Sequence, residues 1–192
     1  MKNTIVIADD EPITRMDIGE ILNEAGYNVV GEASDGFDAV ELCRKFKPEL
    51  VLMDIKMPHL DGLKATKLII DEKLADAVVL LTAYSGSEFI EEAKAAGVTG
   101  YIVKPIEERN LLPEIEIAIA KGQELKRIKE DIISLKEEMQ KKKIVDKAKE
   151  VLMEKCNITE EAAYKRLRKS SMDKRCTMME MAETIIDQYK NY

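Results

Sequence analysis

Short apolar runs and longer amphipathic stretches alternate along residues 1–120. The runs TIVIA, NVVGEA, VLM, VVLL and GYIV have strand length, and the stretches between them, of about 10 to 15 residues, have helix length. This alternation predicts βαβ units, which require parallel strands and right-handed crossovers. The carboxyl ends of parallel strands meet at one edge, where open α/β sheets bind ligands. The pattern therefore predicts a doubly wound parallel sheet with a ligand site at that edge.

Four of the five runs lead into polar residues that suit a phosphate or metal site. Asp9 and Asp10 follow the first run, Asp54 the third, Thr82 the fourth and Lys104 the fifth. Three carboxylates at one sheet edge should lie within a few ångströms of one another and repel unless a divalent cation separates them. Oxygen ligands favour Mg²⁺ over zinc or copper. The alternative is that these acidic residues only cap helices.

After Glu107 the apolar residues recur at helical spacing, with few breaks before Lys155. Gly122 weakens this long helix and predicts a bend or a junction there. Apolar residues then follow at steps of three and four with charged residues between them, which predicts a coiled-coil seam. Packing of this face within the chain is the alternative. The seam residues are Leu125, Ile128, Ile132, Leu135 and Met139.

Two shorter helices are predicted after Cys156. Thr159 is a helix N-cap, and Thr177 with Glu180 forms a capping box for the last helix. Apolar residues at helical spacing also continue in a shifted frame at the end of the long helix. The three segments predict a small helical module of about 45 residues. The apolar residues in question are Val145, Ala148 and Leu152 of the long helix, Ala163 and Leu167 of the next, and Met181, Ala182 and Ile185 of the last.

The charge is divided unequally along the chain. Residues 1–120 contain 12 Lys and Arg against 23 Asp and Glu, whereas residues 121–192 contain 18 against 14. The overall charge of −7 therefore hides a basic C-terminal part, which is densest over residues 141–175. A basic half predicts an anionic partner. The alternative is a solvated basic face that balances an acidic domain.

Several classes of protein are not expected from this composition. No apolar run is long enough to span a bilayer and no charged-then-apolar leader is present, which predicts a cytoplasmic protein without a membrane partner. The three cysteines lack the spacing of a metal site, so disulfides and structural zinc are not expected. His59, the single histidine, is predicted to be a surface loop residue.

The motifs IADDE, VLMDIKMPHLDG, TAYS and YIVKP resemble those of the receiver domain of two-component response regulators. The resemblance covers roughly residues 1–120 and implies a five-stranded sheet of order 2-1-3-4-5. It implies a regulator rather than an enzyme, with Asp54 phosphorylated by a sensor histidine kinase and Mg²⁺ as cofactor. Lys104 would bind the phosphate, and a cis peptide is a candidate before Pro105.

The same resemblance implies roles for the residues around Asp54. Asp10 would be a direct Mg²⁺ ligand with Asp9 beside it, and the backbone carbonyl of Lys56 would be a further ligand. Thr82 would be the switch hydroxyl, and Tyr101 the aromatic side chain that moves with it. A core aromatic without a switching role is the alternative for Tyr101.

The run AKEVLMEKCNITEEAAYKRLRKSSMDKRCTMMEMAETII resembles the ANTAR domain, the RNA-binding output module of transcription antiterminators. The chain would then comprise a receiver domain (1–120), a coiled-coil linker helix (121–145) and a three-helix ANTAR domain (146–192). Tyr164 either stacks on bases or packs in the core. Six basic residues are predicted RNA contacts from their charge and helical position: Lys165, Arg166, Arg168, Lys169, Lys174 and Arg175.

Together these resemblances imply an antiterminator controlled by phosphorylation. Phosphorylated Asp54 would favour a homodimer that presents two basic modules to mRNA hairpins of the 5′ leader, so that a terminator stem cannot form. The whole chain resembles the regulators of ethanolamine utilisation. Two alternatives are a DNA-binding response regulator, which needs a recognition helix for the major groove, and a protein-interaction or phosphorelay adaptor, which does not need the basic segment.

Overall fold

The computed structural model describes residues 3–83 and 87–190. The chain divides into two compact units, Met1–Arg127 and Ile128–Tyr192. Tyr84 and Ser85 of the TAYS motif lie outside the described residues. Within the described parts, no helix combines the length and the apolar character that a membrane span requires.

The N-terminal unit is built around a five-stranded parallel sheet of order 2-1-3-4-5, with the strands numbered along the chain. The predicted fold class and strand order are therefore confirmed. The third and fourth strands along the chain are buried over their whole length because helices cover both faces of the sheet. The strands are β1 (Thr4–Ala8), β2 (Asn28–Ala33), β3 (Leu50–Asp54), β4 (Ala77–Thr82) and β5 (Gly100–Val103).

Helices on opposite faces of the sheet complete two cores. Along β1, Ile5 and Ile7 face one core while Val6 and Ala8 face the other, as the two-residue repeat of a strand requires. The helices that begin at Gly36 and Gly62 are capped by Asp35 and Asp61, whose carboxylates accept hydrogen bonds from backbone N–H groups. The helices are α1 (Pro12–Glu24), α2 (Gly36–Phe46), α3 (Gly62–Asp71), α4 (Ser87–Ala96) and α5 (Glu108–Cys156).

Helix α5 continues unbroken through Gly122, where the sequence predicts a bend or a junction. A Cβ atom at Gly122 would lie 2.8 Å from the carbonyl oxygen of Asp76 and 3.0 Å from the Cβ of Ala77. The side chain of Asp76 also binds Lys126 Nζ at 3.0 Å. Glycine therefore lets α5 approach the segment before β4 closely, which is a reason the sequence alone does not reveal.

The predicted coiled-coil seam is exposed in the single chain. Its five residues are between 45 and 60% exposed, and every side chain from Gln123 to Lys143 is exposed. The pairing of this exposed face in a coiled coil stays a prediction.

The C-terminal unit contains the predicted three-helix module. The end of α5 packs with α6 (Glu160–Asp173) and α7 (Met178–Lys190). Thr159 caps α6, and Thr177 exchanges hydrogen bonds with Glu180 as a capping box of α7. All eight apolar residues predicted for this module belong to its core or pack against it, so the module and both caps are confirmed.

Candidate functional site

Three of the predicted site residues meet at the carboxyl edge of the sheet. Asp54 is the last residue of β3, and Lys104 follows β5. Lys104 Nζ lies 2.6 Å from Asp54 Oδ1 and 2.8 Å from Asp9 Oδ2. The peptide bond between Lys104 and Pro105 is cis, as predicted. One ammonium group therefore bridges two carboxylates that come from separate strands.

The two carboxylates of this bridge are almost fully buried. Asp9 is inaccessible to solvent and Asp54 is 5% exposed. Burial raises the pKa of Asp54, and the charge of Asp9 adds to that effect. Lys104 and a backbone hydrogen bond from Lys56 oppose the rise without cancelling it. The two carboxylates raise the pKa of Lys104 in turn, against the effect of its burial, so the ammonium stays charged.

Two of the three predicted carboxylates, those of Asp9 and Asp54, meet at Lys104. Asp10 is exposed, and no three acidic, histidine or cysteine side chains among the described residues form a group that could hold a metal ion. Asp9 is buried directly after β1, and the chain bends at Asp10, whose side chain is open to solvent. Lys104 relieves the repulsion between Asp9 and Asp54. Their assignment as Mg²⁺ ligands stays a prediction.

The remaining predicted residues lie around this bridge in different environments. Thr82 ends β4 and is 1% exposed, and its backbone oxygen accepts a hydrogen bond from the N–H of Lys104 at 2.8 Å. Lys56 is exposed in the segment after β3. Tyr101 on β5 is 42% exposed. The alternative of a core aromatic at Tyr101 is therefore wrong, whereas its switching role is untested.

Two residues that the sequence motifs do not mark as functional support the site. Arg15 on α1 donates a hydrogen bond to the backbone carbonyl of Asp9 at 2.6 Å, and this contact fixes the acidic segment. Any Cβ at Gly62 would overlap the backbone carbonyl of Asp54, so only glycine fits there. The glycine after Asp61 in the motif VLMDIKMPHLDG signals this position, whereas nothing in the sequence pairs Arg15 with Asp9.

The predicted RNA contacts lie on or just after α6 and are all exposed. Leu167 on the same helix is fully buried, so one face packs and the other is open to solvent. Lys165 pairs with Glu161 at 2.7 Å, and Arg166 donates a hydrogen bond to the Cys156 sulfur at 3.1 Å. Tyr164 is 43% exposed, which contradicts a purely core role.

Comparison with known protein families identifies both units. A response regulator receiver domain matches residues 5–116, and an ANTAR domain matches residues 134–186. The chain is 40% identical over 183 residues to the transcriptional regulatory protein PdtaR of Mycobacterium tuberculosis. The aligned residues cover 95% of this chain and 89% of PdtaR. The chain belongs to the response regulators with an ANTAR output domain. Members of this family are regulators rather than enzymes.

Other relatives match the receiver domain alone. The chemotaxis protein CheY of Bacillus subtilis is 36% identical over 115 residues, which cover 60% of this chain and 96% of CheY. The crystal structure of the CheX-CheY-BeF3-Mg+2 complex from Borrelia burgdorferi is similar with a TM-score of 0.56 and 26% identity, over 59% of this chain and 86% of that chain. Receiver domains generally use Mg²⁺ for phosphorylation and have a histidine kinase as partner.

Removing the charge of Asp54 should stabilise the receiver domain. In metal-free buffer at pH 7 we expect Asp54→Asn to raise the free energy of unfolding by about 1 kcal/mol. The substitution removes a buried carboxylate, while Lys104 retains its ion pair with Asp9. The pKa of Asp54 in the folded protein lies above its ordinary value of 3.8. The free energy of unfolding therefore falls as the pH rises from 3.8 to the folded pKa, because Asp54 then ionises less readily in the folded protein than in the unfolded chain. The gain should therefore shrink as the pH falls below the folded pKa.

Denaturant unfolding of both proteins at several pH values measures this gain. Asp17→Asn is the matched control, because Asp17 is exposed on α1 and its replacement should change stability by less than about 0.5 kcal/mol. A destabilised Asp54→Asn protein at pH 7 would contradict the electrostatic account of the site.

Proposed function

We propose that a sensor histidine kinase phosphorylates Asp54, that the phosphorylated protein dimerises, and that its ANTAR domain then binds mRNA hairpins of the 5′ leader and prevents termination. The observation that carries this proposal is the buried Asp54 carboxylate held 2.6 Å from the Lys104 ammonium, in a chain that also presents an exposed basic helix. The proposal keeps the division into receiver domain (1–120), linker helix (121–145) and ANTAR domain (146–192). It places the protein in the cytoplasm, where nascent mRNA is made.

The residues at the sheet edge fit a Mg²⁺ ion by their chemistry. We propose that Asp9, Asp10 and Asp54 supply carboxylate oxygens and that Lys56 supplies a backbone carbonyl, which are the ligands that hard cations prefer. The presence of Mg²⁺ in the CheX-CheY complex supports the same cofactor here. When bound, the ion would neutralise charge on the phosphoryl oxygens.

Phosphoryl transfer to this site requires positioning and charge neutralisation from the protein. An oxygen of Asp54 would attack the phosphorus of a phosphohistidine, the P–N bond would break, and the histidine would leave with the electron pair. Lys104 already contacts the attacking carboxylate of Asp54, so its ammonium can hold a phosphoryl oxygen without a large movement.

The new charge on Asp54 would change the contacts of Lys104. An acyl phosphate adds about −1.5 to −2 charges and further acceptor oxygens. These oxygens would compete with Asp9 for the Lys104 ammonium, which now binds both carboxylates. Thr82 and Tyr101 lie on the two strands beside Lys104, and we propose that they carry the change to the surface of the receiver domain.

The exposed seam of α5 supports the proposed homodimer. If its residues meet a second copy, Ile128→Lys with Leu135→Lys should bury charges opposite one another and keep the phosphorylated protein monomeric. Sedimentation equilibrium measures the result. Ile133→Lys with Gln140→Lys is the matched control, because it adds the same charge to exposed positions off the seam. Full dimerisation of the seam variant would show that the dimer interface lies in the receiver domain alone.

The ANTAR match and the basic face of α6 support RNA as the ligand of the output domain. Basic side chains on an exposed helix can follow a phosphate backbone, and Tyr164 beside them is exposed enough to contact a base. The resemblance to the regulators of ethanolamine utilisation remains part of the proposal and rests on overall similarity. Filter binding of the phosphorylated and unphosphorylated protein with hairpin RNA and with duplex DNA tests the proposal.

A further inference from the structure

Arg15 on α1 contacts the acidic segment after β1 through the backbone rather than through a carboxylate. Its guanidinium Nη1 donates a hydrogen bond to the backbone carbonyl of Asp9 at 2.6 Å, and its Nε lies 3.8 Å from Glu32 Oε2 on β2. The Arg15 side chain is only 17% exposed, whereas most arginine side chains lie at the surface. A largely buried guanidinium directed at one carbonyl indicates that the orientation of this carbonyl matters for the site.

Asp9 is held at each of its polar groups. Its backbone N–H donates a hydrogen bond to the carbonyl of Ala33 at 3.1 Å. One carboxylate oxygen accepts a hydrogen bond from the backbone N–H of Glu11 at 2.9 Å, and the other accepts one from Lys104 Nζ at 2.8 Å. The contact of Arg15 with the backbone carbonyl completes this set. The peptide group after Asp9 is therefore fixed in one orientation.

Asp10 depends on this peptide group for its own position. Its carboxylate is exposed and has no hydrogen bond or ion pair within the described part of the chain. Because a peptide bond is planar, the carbonyl of Asp9 and the N–H and Cα of Asp10 share one plane. On the other side, Glu11 is the N-cap of α1 and Pro12 begins the helix. The backbone on both sides therefore determines where the Asp10 carboxylate lies.

We infer that Arg15 is a positioning residue for the divalent cation of the proposed function. It holds the peptide between Asp9 and Asp10, so that the Asp10 carboxylate is oriented before the ion binds. The inference deepens the proposed function and rests on it, because it assumes the proposed cation site. Without the Arg15 contact, this segment would have to be ordered when the ion binds. Ordering one backbone residue on binding corresponds to roughly a tenfold loss of affinity.

The positive charge of Arg15 alone predicts the opposite effect. A cation near a metal site repels Mg²⁺, so removal of the charge should strengthen Mg²⁺ binding if charge were the only influence of Arg15. A positioning role predicts weaker binding after the same removal. The sign of the change in affinity therefore separates the two roles.

The affinity of two Arg15 variants for a divalent cation tests this inference. Mn²⁺ also prefers oxygen ligands and serves as the probe. Its binding to the full-length unphosphorylated protein reduces the electron paramagnetic resonance signal of the free ion, and competition by Mg²⁺ gives the Mg²⁺ dissociation constant. Arg15→Met removes the hydrogen bond and should raise this constant about tenfold. Arg15→Lys keeps the charge and a hydrogen-bond donor and should raise it less.

Arg44→Met is the matched control. Arg44 lies in the last turn of α2, where its ion pairs with Glu41 and Glu72 join exposed side chains. The control removes the same charge from the same domain and should leave the dissociation constant unchanged. Circular dichroism and thermal melting without metal verify that each variant is folded before its affinity is compared.

A double-mutant cycle tests whether Arg15 acts through Asp10. Asp10→Ala removes a proposed ligand and should weaken Mg²⁺ binding by itself. If Arg15 orients the Asp10 carboxylate, the double variant should bind Mg²⁺ no more weakly than Asp10→Ala does, since the oriented group is already lost. A general loosening of the domain would instead weaken binding further in the double variant.

Phosphorylation by acetyl phosphate gives an independent readout. In Arg15→Met the Mg²⁺ concentration that gives half the maximal rate should rise about tenfold. The rate at saturating Mg²⁺ should stay near that of the unaltered chain, because the bound ion then orders the segment. A merely structural defect would lower the maximal rate as well.

The outcomes separate this inference from the proposed function. If the unaltered chain binds no Mg²⁺, or if Asp10→Ala binds it as tightly as the unaltered chain does, the proposed cation site is wrong and the inference fails with it. If that site behaves as proposed but Arg15→Met binds Mg²⁺ equally or more tightly, only the positioning role is wrong. Additive losses in the double-mutant cycle would show that Arg15 does not act through Asp10, and they would also overturn the inference.

Discussion

Replacing Asp54 with alanine is expected to reduce phosphorylation to background, whether the donor is a cognate kinase or acetyl phosphate with Mg²⁺. Asp54 is the carboxylate at the end of β3, and it lies 2.6 Å from the ammonium that would bind the phosphoryl group. Asp9 cannot take its place, because it is fully buried and already accepts hydrogen bonds from Lys104 and from the backbone N–H of Glu11.

Phosphate incorporation measured by mass spectrometry decides this prediction. Asp71→Ala is the matched control, since Asp71 is an exposed carboxylate at the end of α3 and its replacement should leave incorporation unchanged. Stable phosphate on another residue of the Asp54→Ala protein would show that the assigned phosphoacceptor is wrong. If the Asp54→Ala protein still dimerised under phosphorylating conditions, dimerisation would not depend on phosphorylation of Asp54.

Replacing Lys165, Arg166 and Lys169 together with alanine should lower the affinity for hairpin RNA about tenfold or more. The slope of log affinity against log salt concentration should also shrink by roughly 0.7 for each lost contact with single-stranded RNA. Stability should change little, because the ion pair of Lys165 with Glu161 joins two mostly exposed side chains. Leu167 stays in the core and keeps α6 in place.

A triple variant with the same charge change elsewhere controls for long-range electrostatics. Lys45, Lys67 and Lys94 are exposed on the helices of the receiver domain, and their replacement with alanine should leave the salt slope unchanged. Unaltered affinity and salt slope in the α6 variant would show that this face is only solvated surface. The RNA contacts would then have to lie at Lys174 and Arg175 or on α5.

The features that the sequence predicted well are those that depend on local patterns. Strand positions follow from short apolar runs, and the caps at Thr159 and Thr177 follow from residues that satisfy nearby backbone groups. The strand order needed the family resemblance, because a βαβ alternation alone is compatible with more than one order. The convergence of Asp54 and Lys104 follows from their shared position at strand ends.

The features that the sequence did not predict depend on contacts between distant segments. Asp9 and Asp10 are neighbours in the chain, yet one is buried against Lys104 and the other is exposed. A strand-end position does not specify which way each side chain turns. Gly122 likewise suggests a break in the helix when only the sequence is considered. In the structure it allows α5 to approach Asp76 closely. The orientation of Asp10 and the role of Gly122 both depend on packing between distant segments, which the sequence pattern does not specify.

The most direct test of the proposed function is filter binding by the full-length chain with and without phosphorylation. The probes are a hairpin RNA selected by the phosphorylated protein from a pool with randomised loops, and duplex DNA of the same length and sequence. The phosphorylated protein should bind the hairpin about tenfold or more tightly than the unphosphorylated protein does, and more tightly than it binds the duplex. Equal affinity in both phosphorylation states, or a preference for the DNA duplex, would contradict a phosphorylation-controlled RNA antiterminator.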